Sequence, residues 1–435
     1  MFDTIIRLSF YFALMILIFI LGYFSHKYKA KKIFQTVEPV ISFFEKKLNK
    51  DFDKILGERK NDIFSFKTSE INDTNFSLNN KPSSKFGYFL FLKLDKNIPV
   101  LMNDPNNIVW KWNLDKFRNP NKLIPYKLFD NGDIILGKYE TKGLYRLDKN
   151  GKIIWSKDYY NHHWISSDNK YLYVPGTIFL DNKKDLDNKI YDNSFIKNCE
   201  ASHKSRFGTV MIIDKDNGNL IKEISLIESF YKSVSSRNII EKFADNCMDT
   251  LHLNDVRVLD DQKANHFING KKGDILVSLR HLDMIALLDG ITHDIKWYVQ
   301  GKFSNQHSPR ITKRGTLLVF DNYYENKRSR IVEIDIKSKE ILGFYSGKNK
   351  NFSSNTRGRI QLLDDKIFIQ SSDQGEIFQI ICNSKFLNNE TCSSKYLFSG
   401  VFSGFYPNTG FSVNGEYIKD QIYIGDFYKN LKFLN

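Results

Sequence analysis

The sequence predicts an all-β fold built from one repeated unit, and two observations lead to that prediction. From about residue 87 to residue 435, short apolar stretches alternate with Gly, Asn and Asp turns, which is the pattern of strands joined by hairpins. Three stretches also share one order of elements: 131–155, 272–297 and 314–344. Each has a Gly turn, an apolar strand, a polar gap, a second strand ending in Asp, a tight turn and a third strand ending in an aromatic residue.

The strand-ending aspartate marks six units along the chain. It recurs about 45 residues apart where no insertion intervenes, and a cysteine takes its place in the last unit. The six positions are Asp104, Asp148, Asp214, Asp289, Asp335 and Cys382. Four strands in forty-odd residues is the period of a propeller blade, so we expect a six-bladed β-propeller over residues 87–435. A β-sandwich followed by a second β domain would leave the repeated Asp turn unexplained.

The two longest intervals between these positions contain insertions. One insertion includes residues 181–206, which are rich in Asn, Asp and Lys. The other includes residues 228–245, whose apolar spacing predicts a helix.

The segment before the repeat predicts a membrane anchor and a connection to the propeller. Residues 8–24 are apolar and uncharged, which approaches the ~20 residues that a membrane-spanning helix needs. No small-x-small cleavage site follows, so residues 1–32 are predicted to be an uncleaved signal anchor. Within residues 33–86, apolar residues spaced three and four apart predict a short helical stalk, and a polar linker follows it.

Charge alone leaves the orientation of this anchor open. Arg7 precedes the apolar span, and four lysines follow it: Lys27, Lys29, Lys31 and Lys32. The positive-inside rule would then place the bulk of the chain in the cytoplasm.

Composition indicates a folded protein with affinity for anions. The chain has 435 residues, of which 41% are hydrophobic and 14% aromatic, and this content excludes a disordered chain. Lys and Arg number 64 against 50 Asp and Glu, a net charge of +14. The basic residues are scattered and no nucleic-acid motif accompanies them, so the surplus indicates a Lys-rich solvated surface. It also fits anionic ligands, which a positive interior would attract.

Four cysteines are present, and none forms a CxxC pair or has a histidine at zinc-finger spacing. An even number allows two disulfides, for which we predict the pairs Cys199–Cys247 and Cys382–Cys392. Four buried thiols in a cytosolic protein are the alternative. Disulfides would favour an oxidising compartment.

Three histidine clusters each precede the first clear strand of a repeat. They are HHWI (162–165), HLNDV (252–256) and QHSPRI (306–311). Aligned on the aliphatic residue that begins the strand, His252 and His307 both lie four positions upstream, and His163 and Asn254 both lie two upstream. Because side chains two apart share a face in extended chain, we expect the four to converge from three blades on the central channel.

Arg280 ends a strand in the same repeat as His252, and its side chain is expected to reach the same cavity. A guanidinium group binds two oxygens of a sulfate or phosphate group, and a neutral imidazole is a competent nucleophile or acid. Three histidines also suit zinc. The neighbouring arginine and the absence of an accompanying carboxylate in the sequence motifs favour an oxyanion, so no metal and no cofactor are predicted.

In these stretches the chain resembles the bacterial arylsulfotransferase family that works without a nucleotide sulfate donor. The resemblance rests on 162–174, 252–261, 274–289 with Trp297, and 305–322 followed by 329–335, in matching order and spacing. It implies a six-bladed propeller in the periplasm, anchored here to the bacterial inner membrane. It also implies that a sulfuryl group passes from an aryl sulfate ester to a phenolic or other hydroxyl acceptor through a sulfohistidine.

The resemblance implies a role for each motif. His307 would carry the sulfuryl group, and His252 and Arg280 would hold the sulfate oxygens. His162 or His163 would complete the pocket as an acid or base, with His163 favoured by the alignment. Asn254 would bind an oxygen or position a neighbour.

Two positions depart from the family pattern. Family members commonly have an acidic residue where this chain has Trp164, and an aspartate where it has Ser308. Either carboxylate would orient an imidazole. Two alternatives stay open at this point: a non-catalytic anchored propeller that binds an anionic ligand or an envelope partner, and phosphoryl transfer, for which no Walker-type loop or acidic pair for magnesium is present.

Overall fold

The structure is a computed structural model that divides into two units, residues 1–72 and 73–435. All described residues belong to the second unit: 88–93, 98–104, 107–117, 123–138, 141–180, 205–232, 249–324, 328–347, 351–354, 357–363, 366–372, 376–399 and 425–428. The predicted anchor, stalk and linker lie outside these ranges. Within the described part of the chain, no helix is long and apolar enough to cross a membrane.

The described residues form six four-stranded antiparallel sheets in a propeller-like arrangement, which confirms the predicted all-β class. Each sheet is written from its inner strand outward. The first sheet contains β24 (Gly425–Tyr428), β1 (Tyr88–Lys93), β2 (Ile98–Asp104) and β3 (Asn107–Lys111), and the second contains β4 (Leu123–Leu128), β5 (Ile134–Lys138), β6 (Thr141–Leu147) and β7 (Ile153–Asn161). The third contains β8 (Ser166–Ser167), β9 (Tyr171–Leu180), β10 (Ser205–Asp214) and β11 (Leu220–Ser225).

The other three sheets follow the same up-and-down order. They are β12 (Leu253–Val258), β13 (Ile275–Leu279), β14 (Met284–Leu288) and β15 (Ile295–Gln300); β16 (His307–Ile311), β17 (Thr316–Tyr324), β18 (Arg328–Asp335) and β19 (Ile341–Tyr345); and β20 (Arg359–Leu363), β21 (Lys366–Ser371), β22 (Glu376–Cys382) and β23 (Cys392–Ser399).

The six sheets follow one another in a closed ring. Contacts run from β1 to β4, from β7 to β9, from β8 to β12, and onward through the inner strands β12, β16, β20 and β24. The ring closes because β24, near the end of the chain, pairs with β1 near its beginning, with Phe427 opposite Phe89.

The repeated aspartate lies at the end of the third strand of a sheet, as the sequence pattern predicts. In four sheets its Oδ1 accepts hydrogen bonds from two backbone N–H groups of the turn that follows; these residues are Asp148, Asp214, Asp289 and Asp335. This Asx geometry fixes the hairpin into the fourth strand. In the sixth sheet Cys382 takes the same place and is bonded to Cys392 directly opposite it.

The Cys382–Cys392 disulfide therefore replaces an Asp-capped turn as the link between third and fourth strands. This bond is one of the two pairs predicted from the sequence. Cys199 and Cys247, the other predicted pair, lie outside the described residues.

Tryptophans on outer strands join neighbouring sheets. The indole Nε1 of Trp155 donates to the carbonyl of Lys215 at 2.9 Å, and that of Trp297 donates to Ile336 at 2.9 Å. Both acceptors directly follow the turn aspartate of the next sheet. The aromatic residue at the end of one repeat thus recognises the Asp turn of the following repeat, which explains why the two features recur together.

The hydrophobic core fills the spaces between adjacent sheets. Leu172 and Val174 of the third sheet pack with Leu136 of the second, and Val210 packs in a cluster with Val256 and Val277 of the fourth. Two further clusters fill the spaces between the fourth and fifth and the fifth and sixth sheets. Burying each such side chain contributes about 1.5–3 kcal/mol, so the inner strands are held rigidly where they carry the site.

The helices among the described residues are short. They are α1 (Leu226–Tyr231), α2 (Asp261–Ala264) and a 3-10 turn (Arg280–Leu282). The helix predicted at 228–245 overlaps α1, which begins earlier because Ser225 caps it by accepting from the Glu228 N–H. Residues 233–245 of that prediction and 181–204 of the other insertion lie outside the described ranges.

Candidate active site

The three histidine clusters lie where the sequence alignment predicts, at the starts of inner strands. The HH pair precedes β8, His252 directly precedes β12, and His307 is the first residue of β16. The assumption of extended chain is wrong, however, because His163 has φ 65° and His252 has φ 45°. Left-handed backbone costs a non-glycine residue of order 1–3 kcal/mol and is concentrated at functional sites. Here it turns the imidazoles toward one another.

The structure brings the predicted histidines together. The Nε2 atoms of His163 and His252 are 3.4 Å apart, and the ring of His163 lies 5.7 Å from that of His307 between centroids. His162 also takes part, with its ring 3.8 Å from His163 and 5.3 Å from His252. Four imidazoles from three sheets therefore form one cluster, and the two members of the HH pair both belong to it.

His307 lines the cavity described below, and one of its ring nitrogens is held by hydrogen bonds while the other is not. Its Nδ1 lies 2.8 Å from the Asn322 Oδ1 and 3.1 Å from the Asn305 carbonyl oxygen. Both partners are acceptors, since the Asn322 amide nitrogen donates to the Ser354 and Arg357 carbonyls. The proton of neutral His307 is thus on Nδ1. Its Nε2 is a buried lone pair with no hydrogen-bond partner among the described residues.

Burial and the positive charge of Arg280 together lower the pKa of His307 to about 3, although its hydrogen bond to Asn322 opposes that shift. The side chain is only 2% exposed. His307 is therefore neutral at physiological pH, which is the state in which Nε2 is nucleophilic.

His252 is oriented by a carboxylate that the sequence motifs did not reveal. Its Nδ1 lies 2.6 Å from Asp249 Oδ2, and the expectation that no carboxylate accompanies the histidines is wrong. Asp249 lies three residues before His252, in DTLH (249–252). The sequence next to the histidine motif therefore already contained this carboxylate. The contact directs His252 Nε2 toward His163. Burial lowers the pKa of His252 to about 4, although Asp249 opposes that shift.

The pKa of Asp249 stays below its ordinary value. Burial alone would raise it, but the hydrogen bond from His252 and the nearby histidines reverse that effect. The pKa of His163 falls well below its ordinary value, first through burial and then through the neighbouring imidazoles and Arg357. Asp249 is therefore ionised while His163 and His252 are neutral.

Arg280 is held beside the histidines by His281, which the sequence did not place in the site. The Arg280 NH1 group donates to His281 Nε2 at 3.0 Å, and His281 Nδ1 donates to the Asp249 carbonyl at 2.5 Å. The Arg280 backbone N–H also donates to the His252 carbonyl. Arg280 therefore belongs to the cluster through both its backbone and its side chain.

Asn254 holds the backbone next to His307. Its amide nitrogen donates to the Gln306 carbonyl at 2.7 Å, one residue before His307. The Gln306 side chain is fully buried and donates to the Met284 carbonyl at 2.8 Å. From the sequence, Asn254 is expected either to bind an oxygen or to position a neighbour. Its hydrogen bond to the Gln306 carbonyl corresponds to the second role.

The two departures from the family pattern have structural partners. Ser308 Oγ accepts from the Ile360 N–H at 2.9 Å, which ties β16 to the next inner strand. The Trp164 ring lies 3.8 Å below the guanidinium of Arg359 and edge-on to Tyr126. The orienting groups that these positions lack are supplied by Asn322 for His307 and by Asp249 for His252.

A cavity of about 400 Å³ opens beside His307 and His163. Its other lining residues come from the second, third and sixth sheets and the segment before β20: Ile124, Tyr126, Trp164, Arg357, Gly358, Arg359 and Ser372. The two arginines were missed, although RGRI (357–360) precedes an inner strand just as the histidine motifs do.

The donor set suits an anion better than a metal ion. The ligand atoms of His162, His163 and His252 are close enough to hold a metal, as are those of Asp249, His252 and His281. In the second group both nitrogens of His281 are already hydrogen-bonded. Arg280 and Arg357 add positive charge beside the first group, which opposes a cation and favours an oxyanion.

The fold and this site define a propeller-like protein with a buried, basic histidine centre. The family model described as arylsulfotransferase (ASST) matches residues 128–389, and the chain belongs to that family. No curated protein matches it by sequence.

Solved structures give only distant matches. A protein of unknown function from Bacteroides caccae aligns at 10% identity over 71% of this chain and 94% of its own, with a TM-score of 0.42. A catalytically inactive variant of virginiamycin B lyase from Staphylococcus aureus, with quinupristin, aligns at 12% identity over 76% and 92%, with a TM-score of 0.41. Likeness at this level carries no weight for function.

Proposed function

We propose that the protein is an aryl sulfate sulfotransferase that works through a sulfohistidine at His307. One observation carries the proposal: in the ring of His307, which lines the cavity, the Nε2 is buried and has no hydrogen-bond partner among the described residues, while Asn322 holds the proton on Nδ1. Membership of the arylsulfotransferase family supports the same reaction class. The donor is an aryl sulfate ester and the acceptor a phenol or another hydroxyl compound, with no cofactor.

In the first half-reaction the His307 Nε2 lone pair attacks the sulfur of the ester. The S–N bond forms as the ester O–S bond breaks, and the electron pair of that bond stays on the departing oxygen. Arg280 binds the sulfuryl oxygens through its guanidinium group. Because the bound ester is an anion, it favours a proton on the His163–His252 pair, and the departing oxygen takes that proton.

The second half-reaction runs in the opposite direction. The acceptor hydroxyl returns its proton to the His163–His252 pair, and its oxygen forms the new O–S bond as the S–N bond breaks. His307 recovers its lone pair. Its proton stays on Nδ1 throughout, hydrogen-bonded to Asn322. Asp249 stabilises the protonated pair, since its carboxylate lies 2.6 Å from His252 Nδ1.

The test is to incubate the protein with 4-nitrophenyl sulfate, follow release of 4-nitrophenol, and search for one added SO₃ group on the His307 peptide. The digest is kept alkaline because imidazole N–S bonds hydrolyse in acid. His307→Gln should lose both the adduct and turnover, whereas His266→Gln, which changes a histidine outside the cluster, should keep both. Ester binding without an adduct or phenol release would instead favour a non-catalytic anion-binding protein.

We also propose that residues 8–24 anchor the protein in the bacterial inner membrane with the propeller in the periplasm. The apolar span supports the anchor, and the Cys382–Cys392 disulfide supports an oxidising compartment. The lysines after the span oppose this orientation. Alkaline phosphatase is active only after export, so a fusion of this enzyme to the C-terminus should be active. If that fusion is inactive while a fusion to a reporter that works only in the cytoplasm is active, the propeller faces the cytoplasm and the proposed orientation is wrong.

A further inference from the structure

Part of the lining of the His307 cavity takes no part in the bond changes proposed above. Besides His307 and His163, the cavity is lined by Tyr126, Trp164, Arg357 and Arg359. The sulfuryl group lies at His307, so the organic part of the ester contacts these other lining residues. Their chemistry therefore determines which esters fit.

The residues Tyr126 and Trp164 form an aromatic wall. Their rings meet edge to face, with centroids 6.3 Å apart and an interplanar angle of 80°. Tyr126 is nearly fully buried, as is the neighbouring Ile124. A flat aromatic ring packs well in such a corner, because edge-to-face and stacked rings attract one another beyond the area they bury.

The wall is accompanied by an excess of positive charge. Arg359 is 7% exposed and its guanidinium lies 3.8 Å from the Trp164 ring centroid. Arg357 is close enough to His163 for its charge to act on that imidazole. Among the described lining residues there are two arginines and no carboxylate.

A simple aryl sulfate does not match this charge. A sulfate monoester carries one negative charge, and in the proposed reaction Arg280 already binds it. Two more arginines, Arg357 and Arg359, line the cavity. Buried arginines in a cleft attract a planar anion such as a carboxylate, which they bind through paired hydrogen bonds.

We propose that the natural substrates are aryl sulfates and phenols whose ring carries a second anionic group, a carboxylate, bound by Arg357 and Arg359. This inference rests on the proposed function and names its substrate class. Donor and acceptor occupy the same cavity in turn, so the preference applies to both. The carboxylate takes no part in bond making; it fixes the ring against Trp164 with the ester sulfur at His307.

The test compares 4-sulfooxybenzoate with its methyl ester, which has the same ring and a similar leaving group but no second charge. We expect kcat/KM to favour the carboxylate by about tenfold or more, in keeping with a charged hydrogen bond. Arg357→Gln and Arg359→Gln should each remove most of that preference, so that kcat/KM for the carboxylate falls toward the value that the same variant gives with the methyl ester. Arg314→Gln, a partly exposed arginine in a turn at the other end of β16, is the matched control and should keep the preference.

Arg359→Lys is a second control, for the case in which Arg359→Gln fails to fold. It keeps the positive charge and should keep part of the preference for the carboxylate. Turnover of both esters with equal kcat/KM in the wild type would overturn the inference and leave the proposed function standing. An unchanged preference in both Gln variants would also overturn it. If neither ester is turned over and no adduct forms on His307, the proposed function fails and this inference fails with it.

Discussion

The amide oxygen of Asn322 lies 2.8 Å from Nδ1 of His307, and this contact decides which nitrogen of the imidazole faces the cavity. Asn322 is itself fully buried, and its amide nitrogen is held by two carbonyls in the segment before β20. The amide cannot turn over without losing those bonds. A neutral group thus does the orienting that a carboxylate does in many catalytic histidine pairs.

Asn322→Asp should therefore change the pH dependence of the reaction. A carboxylate beside Nδ1 favours the imidazolium form, so the pKa of His307 should rise from about 3 toward its ordinary value. The acid limb of kcat/KM should move upward by about one pH unit or more, with activity lost at mildly acidic pH. Steady-state kinetics from pH 4 to 8 measure this; an acid limb that stays in place would show that Asn322 does not govern His307.

Asp249→Asn should lower kcat/KM by roughly 10- to 100-fold through loss of His252 positioning. The effect should grow with poorer leaving groups, because the protonated His163–His252 pair is needed more when the departing oxygen is more basic. Rates for 4-nitrophenyl sulfate and phenyl sulfate give the comparison. An equal loss for both esters would indicate a structural role for Asp249 instead of support for proton transfer.

Acid should destabilise the protein through the buried histidines. In the folded state the pKa of His307 is about 3 and that of His252 about 4, whereas in the unfolded chain both are near 6.5. Between these values the unfolded state binds more protons, so the free energy of unfolding rises with pH up to about 6.5 and falls as pH drops toward 4. The cost is on the order of a few kcal/mol, at ~1.4 kcal/mol per pKa unit.

Urea unfolding at several pH values between 4 and 7.5 measures this dependence. His307→Gln removes one titrating group and should flatten the curve, while His266→Gln should leave its slope close to that of the wild type. Parallel curves for the wild type and His307→Gln would show that His307 is not held neutral by the fold.

The disulfide of the sixth sheet should stabilise the ring near its closure. It spans ten residues between β22 and β23, and a loop of that size corresponds to about 2–3 kcal/mol. Replacing both cysteines by serine should lower the free energy of unfolding by that amount in chemical denaturation. Asp148→Asn, which changes the equivalent Asp-capped turn of another sheet, should lower the free energy of unfolding by less. An undiminished stability after replacement would show that the surrounding strands hold the hairpin unaided.

Much of the fold was predictable because its signals are local. Asp148, Asp214, Asp289 and Asp335 each bind the turn that immediately follows them, so their spacing reports the sheets directly. The pairing of Cys382 with Cys392 follows from the same position in the repeat. Closure of the ring by β24 was not predictable in this way, since it joins segments more than 300 residues apart and no local pattern specifies that pairing.

The sequence by itself determined which histidines would meet, because equivalent positions in a repeat fold to equivalent places around an axis. It did not determine how they meet. Left-handed backbone at His163 and His252 turns the imidazoles inward. Asn322, His281 and the arginines at 357 and 359 reach the site only when separate strands and sheets pack together. The protonation state of His307 is also a tertiary property, because burial is its main cause and no motif encodes burial.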